Sequence, residues 1–287
     1  MRPGDVSTSD INYPTEREAR VIVEVAHRAA GLHLDPRRIE FLHQRLARQV
    51  ATMGQTKFSS YCRLLEMSGM GGAEIRSFVE ALTTHTTSFF REQPHFDWLG
   101  RTGWADLIER GAGRDWPLVV WSAACSSGQE LYSAMISLIE HSDEIGTPVR
   151  MEGLGTDIST RILQNARTAV YPRADVRGLD EARHRRFLMR AKDGSDRFRL
   201  TPELRNLCRW SYANLTNLVS DGPPQADVIM LRNVLIYFDP STQVQVVDAL
   251  VRRLLPGGIL LTGHTESLRS RHSGLLAIGS SIYRKEF

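Results

Sequence analysis

The sequence predicts an α/β protein: an all-α segment, then a parallel sheet with helices on both sides, interrupted by a small inserted β-subdomain. Three observations predict it. From Thr15 to about Leu82, apolar residues recur at helical spacing. After about residue 115, short apolar, β-branched runs alternate with helical stretches, the pattern of parallel strands and crossover helices. An Arg- and Asp-rich stretch from about Tyr171 to Leu200 then breaks that rhythm.

Each element follows in order. Residues 1–14 read as a flexible tail. Thr15 and Glu18 have the spacing of a capping box. Asp35-Pro36 has the form of a helix start, so a helix is expected from Pro36 to Gln49, with Ile39, Leu42, Leu46 and Val50 on one face and Gly54 just past its end. Phe58, Tyr61, Leu64 and Leu65 supply a further stripe. Gly69, Gly71 and Gly72 mark a loop before a helix carrying Ile75, Phe78, Val79 and Leu82. The helical domain is thus expected over 15–82, a join over 83–115 and the sheet domain over 116–287, with the insertion at about 171–200. Pro117–Trp121 is apolar without alternation, as a strand buried on both faces is. Val149–Leu154, Asp227–Leu231 and Gly258–Thr262 read as further strands. Helices are expected around Thr160–Arg167 and Ser241–Leu254, and Leu275–Ile278 with Ser281–Arg284 form a closing hairpin.

Composition excludes several classes. Of 287 residues, 41% are hydrophobic and 24% charged, the balance of a globular domain. No apolar run approaches the roughly 20 residues of a membrane span. Met1 to Asp10 lack an apolar h-region, so a cytoplasmic protein without direct membrane insertion is expected. Cys62, Cys125 and Cys208 are odd in number, far apart and not in CxxC pairs. That argues against a disulfide framework and against a zinc site, and no metal is expected. A net charge of +3 is too small to argue for nucleic acid.

Four segments can carry chemistry. Ser122-Ala-Ala-Cys-Ser-Ser-Gly-Gln-Glu130 lies between a strand and its helix, where open α/β sheets bind ligands. It lacks GxGxxG and GK[ST], so a ligand with little negative charge fits it best. Glu130 is placed either to meet a cationic ammonium or to sit solvated in the first helical turn. Asp157, in Gly155-Thr-Asp-Ile-Ser, is placed to hold ribose hydroxyls or to cap the next helix. In Asp227–Asp239 a buried strand runs into Arg232 and Asn233 and on to Tyr237. That arginine needs a partner, because an unpaired buried charge is costly. Leu82–Glu92 holds four threonines, a serine and Phe89-Phe90-Arg91. It makes a poor helix interior and reads as the join, with Arg91 at the surface or in a site.

These segments, with Thr156–Tyr171 and Pro256–Glu266, resemble the motif series of the chemotaxis-receptor glutamate methyltransferases, the CheR family. The resemblance covers about residues 20–287 in the family's order. It implies a Rossmann-like class I methyltransferase domain with a small β-subdomain, behind a helical receptor-recognition domain. It implies S-adenosylmethionine as methyl donor, with S-adenosylhomocysteine as product, and methyl transfer to glutamate carboxylates of chemoreceptor helices. By motif, His85, Thr87 and Arg91 line the cofactor site. Glu130 meets the methionine end, Asp157 the ribose, and Asn214 and Leu215 the adenine. Arg232 and Asn233 lie near the methyl, and Arg91 and Tyr237 orient the substrate carboxylate. Four positions depart from the family: His85 replaces asparagine, Gln129 and Leu131 replace glutamate and proline, and Ala169 replaces a frequent glycine.

No convincing Ser-His-Asp or Cys-His set is present, which agrees with a direct displacement by a carboxylate already ionised at pH 7. Arg38 and Arg45 share a face of the second helix, with Arg37 and Arg48 alongside, and with the resemblance this face reads as a dock for acidic receptor helices. Met189–Leu200 lacks the Gly-x-Gly turn of receptor-tethered members, so tether-independent action by a monomer is expected. Two alternatives remain: a cofactor-binding sensor or scaffold with little turnover, and a methyltransferase for another protein.

Overall fold

The computed structural model describes residues 8–218, 224–268 and 274–286. They fall into two compact units: residues up to Thr84 together with Tyr237–Gln243, and residues from His85 onward without that segment. Among the described residues, no helix is long and apolar enough to cross a membrane.

The first unit holds helices α1 (Glu16–Ala30), α2 (Ile39–Thr52), α3 (Phe58–Met67) and α4 (Ala73–Leu82). The capping box at Thr15 forms in both directions: its side chain accepts from Glu18 N, and Glu18 accepts from Thr15 N at 2.7 Å. The apolar stripes meet in a core of Ile22, Leu42, Leu46, Phe58, Tyr61, Leu65 and Phe78. Tyr61 lies edge-on to both Phe58 and Phe78. The segment Tyr237–Gln243 joins this unit through a bridge between Leu32 and Phe238 and a bond from His33 N to Tyr237 O of 2.7 Å. His27 Nε2 also lies 2.8 Å from Asp239 Oδ2. Two boundaries differ from expectation. Residues 8–14, read as part of a flexible tail, hold a 3₁₀ turn over Thr8–Asp10 and a buried Ile11 whose carbonyl lies 2.9 Å from His43 Nε2. α2 begins at Ile39, with Arg38 as its N-cap residue. Asp35 accepts from Arg37 N at 2.9 Å and pairs with the Arg37 guanidinium, so its carboxylate closes a turn instead of capping a helix.

In the second unit, α5 (Gln93–Trp98) and α6 (Trp104–Glu109) are joined by a π-helical turn over Leu99–Gly103. There follow β1 (Leu118–Ala123), α7 (Gln129–Glu144), β2 (Met151–Asp157) and α8 (Thr160–Thr168). The interruption is a subdomain of β3 (Val170–Pro172), α9 (Glu181–Phe187), β4 (Leu188–Arg190) and β5 (Arg197–Leu200). Its three strands pair antiparallel in the order β3-β5-β4. Arg183 on α9 donates twice to Glu140 on α7, tying the insertion to the main body. Then come α10 (Pro202–Asn206), β6 (Cys208–Tyr212), β7 (Ala226–Leu231), α11 (Pro240–Arg253), β8 (Leu254–Thr262) and the hairpin β9 (Leu275–Gly279) and β10 (Ile282–Lys285).

The main sheet runs β6-β2-β1-β7-β8-β10-β9. The first five strands are parallel, and β10 is antiparallel to both neighbours. Leu118, Val120, Trp121 and Ala123 of β1 are fully buried, as an apolar run without alternation requires. From β1 the chain works outward through β2 to β6, then returns to β7 on the other side of β1. The loops leaving β1 and β7 therefore diverge, and a crevice opens beyond their carboxyl ends. Ala169 adopts φ 50° at the end of α8, which gives the physical reason a glycine suits that position.

Candidate functional site

The site is built from the loops at that crevice. Five non-glycine residues there hold left-handed backbone: Phe90, Glu92, Ala124, Ser126 and Asn233, with φ between 51° and 67°. Such conformations cost energy and persist where surrounding contacts impose them, commonly at functional loops. Here the contacts are visible. Phe90 packs on Phe96 and its N–H donates to Ser133 Oγ at 2.9 Å. Ser126 N donates to Asp157 Oδ2, and Asn233 N to Glu266 Oε2, at 2.9 and 2.6 Å.

Asp157 closes β2 and is buried. Its other oxygen accepts from Ser159 N at 2.9 Å. The cap of α8 is Ser159 itself, whose hydroxyl accepts from Ile162 N, so the simple capping role belongs to the serine. Burial pushes the Asp157 carboxyl above the ordinary carboxylate range, while the backbone donors and the nearby His85 pull it partly back. A carboxylate offers about four acceptor positions, so Asp157 retains capacity for ligand hydroxyls.

Arg232 follows β7 directly, and its side chain is 1% exposed. Its guanidinium is shared between two carboxylates: Nη1 donates to Glu130 Oε2 at 2.9 Å and Nη2 to Glu92 Oε2 at 3.0 Å. It also donates to the Arg91 carbonyl and lies over the Phe96 ring. The other oxygen of Glu130 accepts from Ser122 Oγ at 2.7 Å, and that of Glu92 from Asn233 Nδ2 at 3.0 Å. Burial alone would raise Glu92, but Asn233 and Arg232 hold its carboxyl below the ordinary range. Glu130 is thus neither a solvated first-turn residue nor a lone anion: it is half of a carboxylate pair on one buried cation.

Glu266 is a second anchor. It is buried, and its carboxylate accepts from Asn233 N, Gly263 N and Leu235 N at 2.6, 2.8 and 2.7 Å. A side chain at Gly263 would stand 2.5 Å from Glu266 Oε2, so only glycine permits this approach. Glu92 and Glu266 sit at the ends of motifs in the sequence, yet nothing local marks them. Their partners lie far along the chain, and a carboxylate ending a motif beside a buried Arg-Asn pair was the only available signal.

The remaining expected residues are placed as follows. His85 and Thr87 are half-buried in the irregular stretch after α4, and the His85 carbonyl accepts from Ser126 Oγ at 2.9 Å. Arg91 Nη1 donates to the Thr86 carbonyl at 2.9 Å. Ala213 N donates to the Asp157 carbonyl, which sets the start of the Asn214–Leu215 segment beside the end of β2. Asn214 Oδ1 accepts from Thr216, and Leu215 is buried. Tyr237 lies in the segment that belongs with the helical unit.

Taken together, Glu130 and Glu92 share one buried guanidinium, Asp157 closes β2, and Glu266 holds the backbone of Asn233. The surplus of negative charge suits a ligand with cationic groups, and Asp157 suits vicinal hydroxyls. The chain offers no glycine-rich phosphate cradle there.

The chain matches the family model described as "CheR methyltransferase, SAM binding domain" over residues 85–283. It is 32% identical over 282 residues to "Chemotaxis protein methyltransferase 2" of Pseudomonas aeruginosa, covering 98% of this chain and 97% of that protein. It is 33% identical over 284 residues to "Chemotaxis protein methyltransferase" of Escherichia coli strain K12, covering 96% and 95% respectively. A protein of that name from Borreliella burgdorferi is 28% identical over 272 residues, covering 94% of this chain and 95% of its own. The chain belongs to the CheR methyltransferase family, and S-adenosylmethionine is its cofactor.

Proposed function

We propose that this protein transfers the methyl group of S-adenosylmethionine to glutamate side chains of chemoreceptor proteins, forming methyl esters. The observation that carries the reading is the buried Glu92–Arg232–Glu130 set beside Asp157, inside a chain whose relatives are named chemotaxis protein methyltransferases. The cofactor supplies an electrophilic methyl on a sulfonium. Its charges match the donor set: a sulfonium and an ammonium against surplus carboxylates, a carboxylate for arginine, and a ribose diol for Asp157. In this reading His85, Thr87, Arg91, Glu130, Asp157, Asn214, Leu215, Arg232 and Asn233 hold the cofactor.

The nucleophile needs no general base, because glutamate with a pKa near 4.3 is ionised at pH 7. The protein's work is to align that carboxylate with the methyl and to strip water from it. Arg91 is the cation assigned to the carboxylate, and Tyr237 is assigned beside it by motif alone. The decisive experiment incubates the chain with labelled cofactor and receptor cytoplasmic domains. Label on glutamate that base releases as methanol is expected. Label that survives base would sink the proposal.

Asp157 gives a pH test. A carboxyl whose pKa is raised takes up its proton above the usual range, and the neutral acid is a weaker acceptor for the ribose. Affinity for S-adenosylhomocysteine should therefore fall as pH drops from 7 toward the carboxylate range. Asp157→Ala should lower that affinity about 100-fold and flatten the pH profile, as read by calorimetry.

We propose that α2 docks the acidic receptor helix. Arg38 and Arg45 both lie over the Phe41 ring, at 4.7 and 5.4 Å from its centroid, and so share one face as the sequence suggested. Arg38 and Arg48 are exposed. Arg45 is half-buried and donates to Thr84 Oγ1 at 2.9 Å. Arg38→Glu with Arg45→Glu should slow receptor methylation at least tenfold at low salt while cofactor affinity stays unchanged. Equal rates in the two proteins would remove α2 from the docking surface. A cytoplasmic monomer acting without a receptor tether completes this reading.

A further inference from the structure

Glu92, His95 and His264 bring a carboxylate oxygen and two ring nitrogens within 4.8 Å of one another. Neither imidazole has a part in the roles derived above. His95 lies on α5 at 1% exposure; the Ser280 carbonyl lies near its ring, but neither ring nitrogen makes a hydrogen bond of ordinary geometry. Its Nδ1 faces Glu92 Oε2 at 3.6 Å, beyond hydrogen-bond distance. Buried polar groups of this kind nearly always find a partner, so the exception calls for one.

The second imidazole supplies access. His264 is exposed, on the loop after β8, and meets the His95 ring edge-on with centroids 4.9 Å apart. One side of the cluster thus opens to solvent, leaving room for water ligands. Glu92 is held by Asn233 and Arg232, the outer support that ligating carboxylates commonly have.

We propose that Glu92, His95 and His264 bind a divalent cation of the zinc class, with water completing its coordination. Two imidazoles and one carboxylate select a borderline ion such as Zn²⁺ or Co²⁺ over Mg²⁺ or Ca²⁺, which prefer all-oxygen sites. The ion shares Glu92 Oε2 with Arg232, whose Nη2 donates to that same oxygen at 3.0 Å.

The test uses the full chain, free of any affinity tag and stripped with chelator, titrated with Co²⁺ and followed by visible absorption. Dialysis against Zn²⁺ gives the stoichiometry. The expected result is one equivalent bound, with the strong visible bands of four-coordinate cobalt. His264→Ala and His95→Gln should each weaken binding by at least about tenfold. His33→Ala, at an exposed histidine of the other unit, should leave it unchanged. His95 is buried, so its variant is checked for folding by circular dichroism; His264 is exposed, and its variant carries the test if the other fails to fold. No uptake, unchanged affinity in His264→Ala, or loss in His33→Ala would each overturn the proposal. The readout is metal binding alone, so it stands or falls apart from methyl transfer.

Discussion

Arg232→Met should lower the stability of the sheet-containing unit by about 3–5 kcal/mol, the usual cost of breaking a buried ion pair by removing one partner. Methionine keeps an unbranched stem to pack near Phe96 but strands Glu92 and Glu130, whose side chains are only 14% and 12% exposed. All five tryptophans, Trp98, Trp104, Trp116, Trp121 and Trp210, lie in this unit, so their fluorescence in a urea titration reports on it alone. The mechanism has its own check. Adding Glu92→Gln and Glu130→Gln to Arg232→Met should recover much of the loss, because replacing a whole buried set is cheaper than breaking it. A triple variant as unstable as the single one would mean that stranded charge is not the cause.

The second large effect is at Glu266. Its carboxylate serves backbone donors from two separate loops: Asn233, Leu235 and more distantly Ile236 after β7, and Gly263 after β8. Glu266→Ala removes the acceptor from all of them at once. Buried donors left unmatched cost about 1–3 kcal/mol each, and water entering the space recovers part of that. A loss of about 3 kcal/mol is expected in the same tryptophan-monitored titration. Glu266→Gln should fall between wild type and alanine, since one oxygen remains to accept while the amide nitrogen faces N–H groups. The variant should also loosen the left-handed Asn233, and with it the aim of the Asn233 side chain at Glu92. An alanine variant as stable as wild type would show that solvent satisfies these donors fully.

The dipeptide Asp-Pro shows how far local sequence carries. It occurs at Asp35-Pro36 and at Asp239-Pro240, and each places a carboxylate before proline in the form of a helix start. At Asp239 the carboxylate accepts from Ser241 N and Thr242 N, and α11 begins at the proline. At Asp35 the competing partner is the guanidinium of Arg37, two residues on, and the chain turns for three more residues before α2 begins. Propensity was equal; a side-chain pair decided. Four of the five parallel strands were legible, β1 most plainly because burial on both faces leaves an apolar run; β6, at the sheet edge with alternating burial, carries no such run and was missed. The ends of those four moved by a few residues, because register is set by the neighbouring strand.

The site was legible in the same uneven way. Glu130 opens the helix after β1 and Asp157 closes β2, at the strand ends where a parallel sheet places ligand-binding residues. Arg232 announced its need for a partner by ending an apolar strand. The identity of that partner did not follow, because Glu92 is 140 residues away in sequence and Glu266 owes its importance to backbone groups that have no sequence signature.

With the receptor docked on α2 and the cofactor beside Arg232, as proposed, the burial of Arg232 separates the two binding events by their response to ionic strength. At physiological salt, charges in water are screened over about 8 Å, while a pair removed from solvent is screened far less. The Glu92–Arg232–Glu130 set sees almost no mobile ions. Arg38 and Arg48 are bathed in them. Added salt should therefore raise the receptor concentration needed for half-maximal rate while barely moving the affinity for S-adenosylhomocysteine. The protein would then read its own ionic surroundings through partner capture and keep its methyl donor loaded regardless.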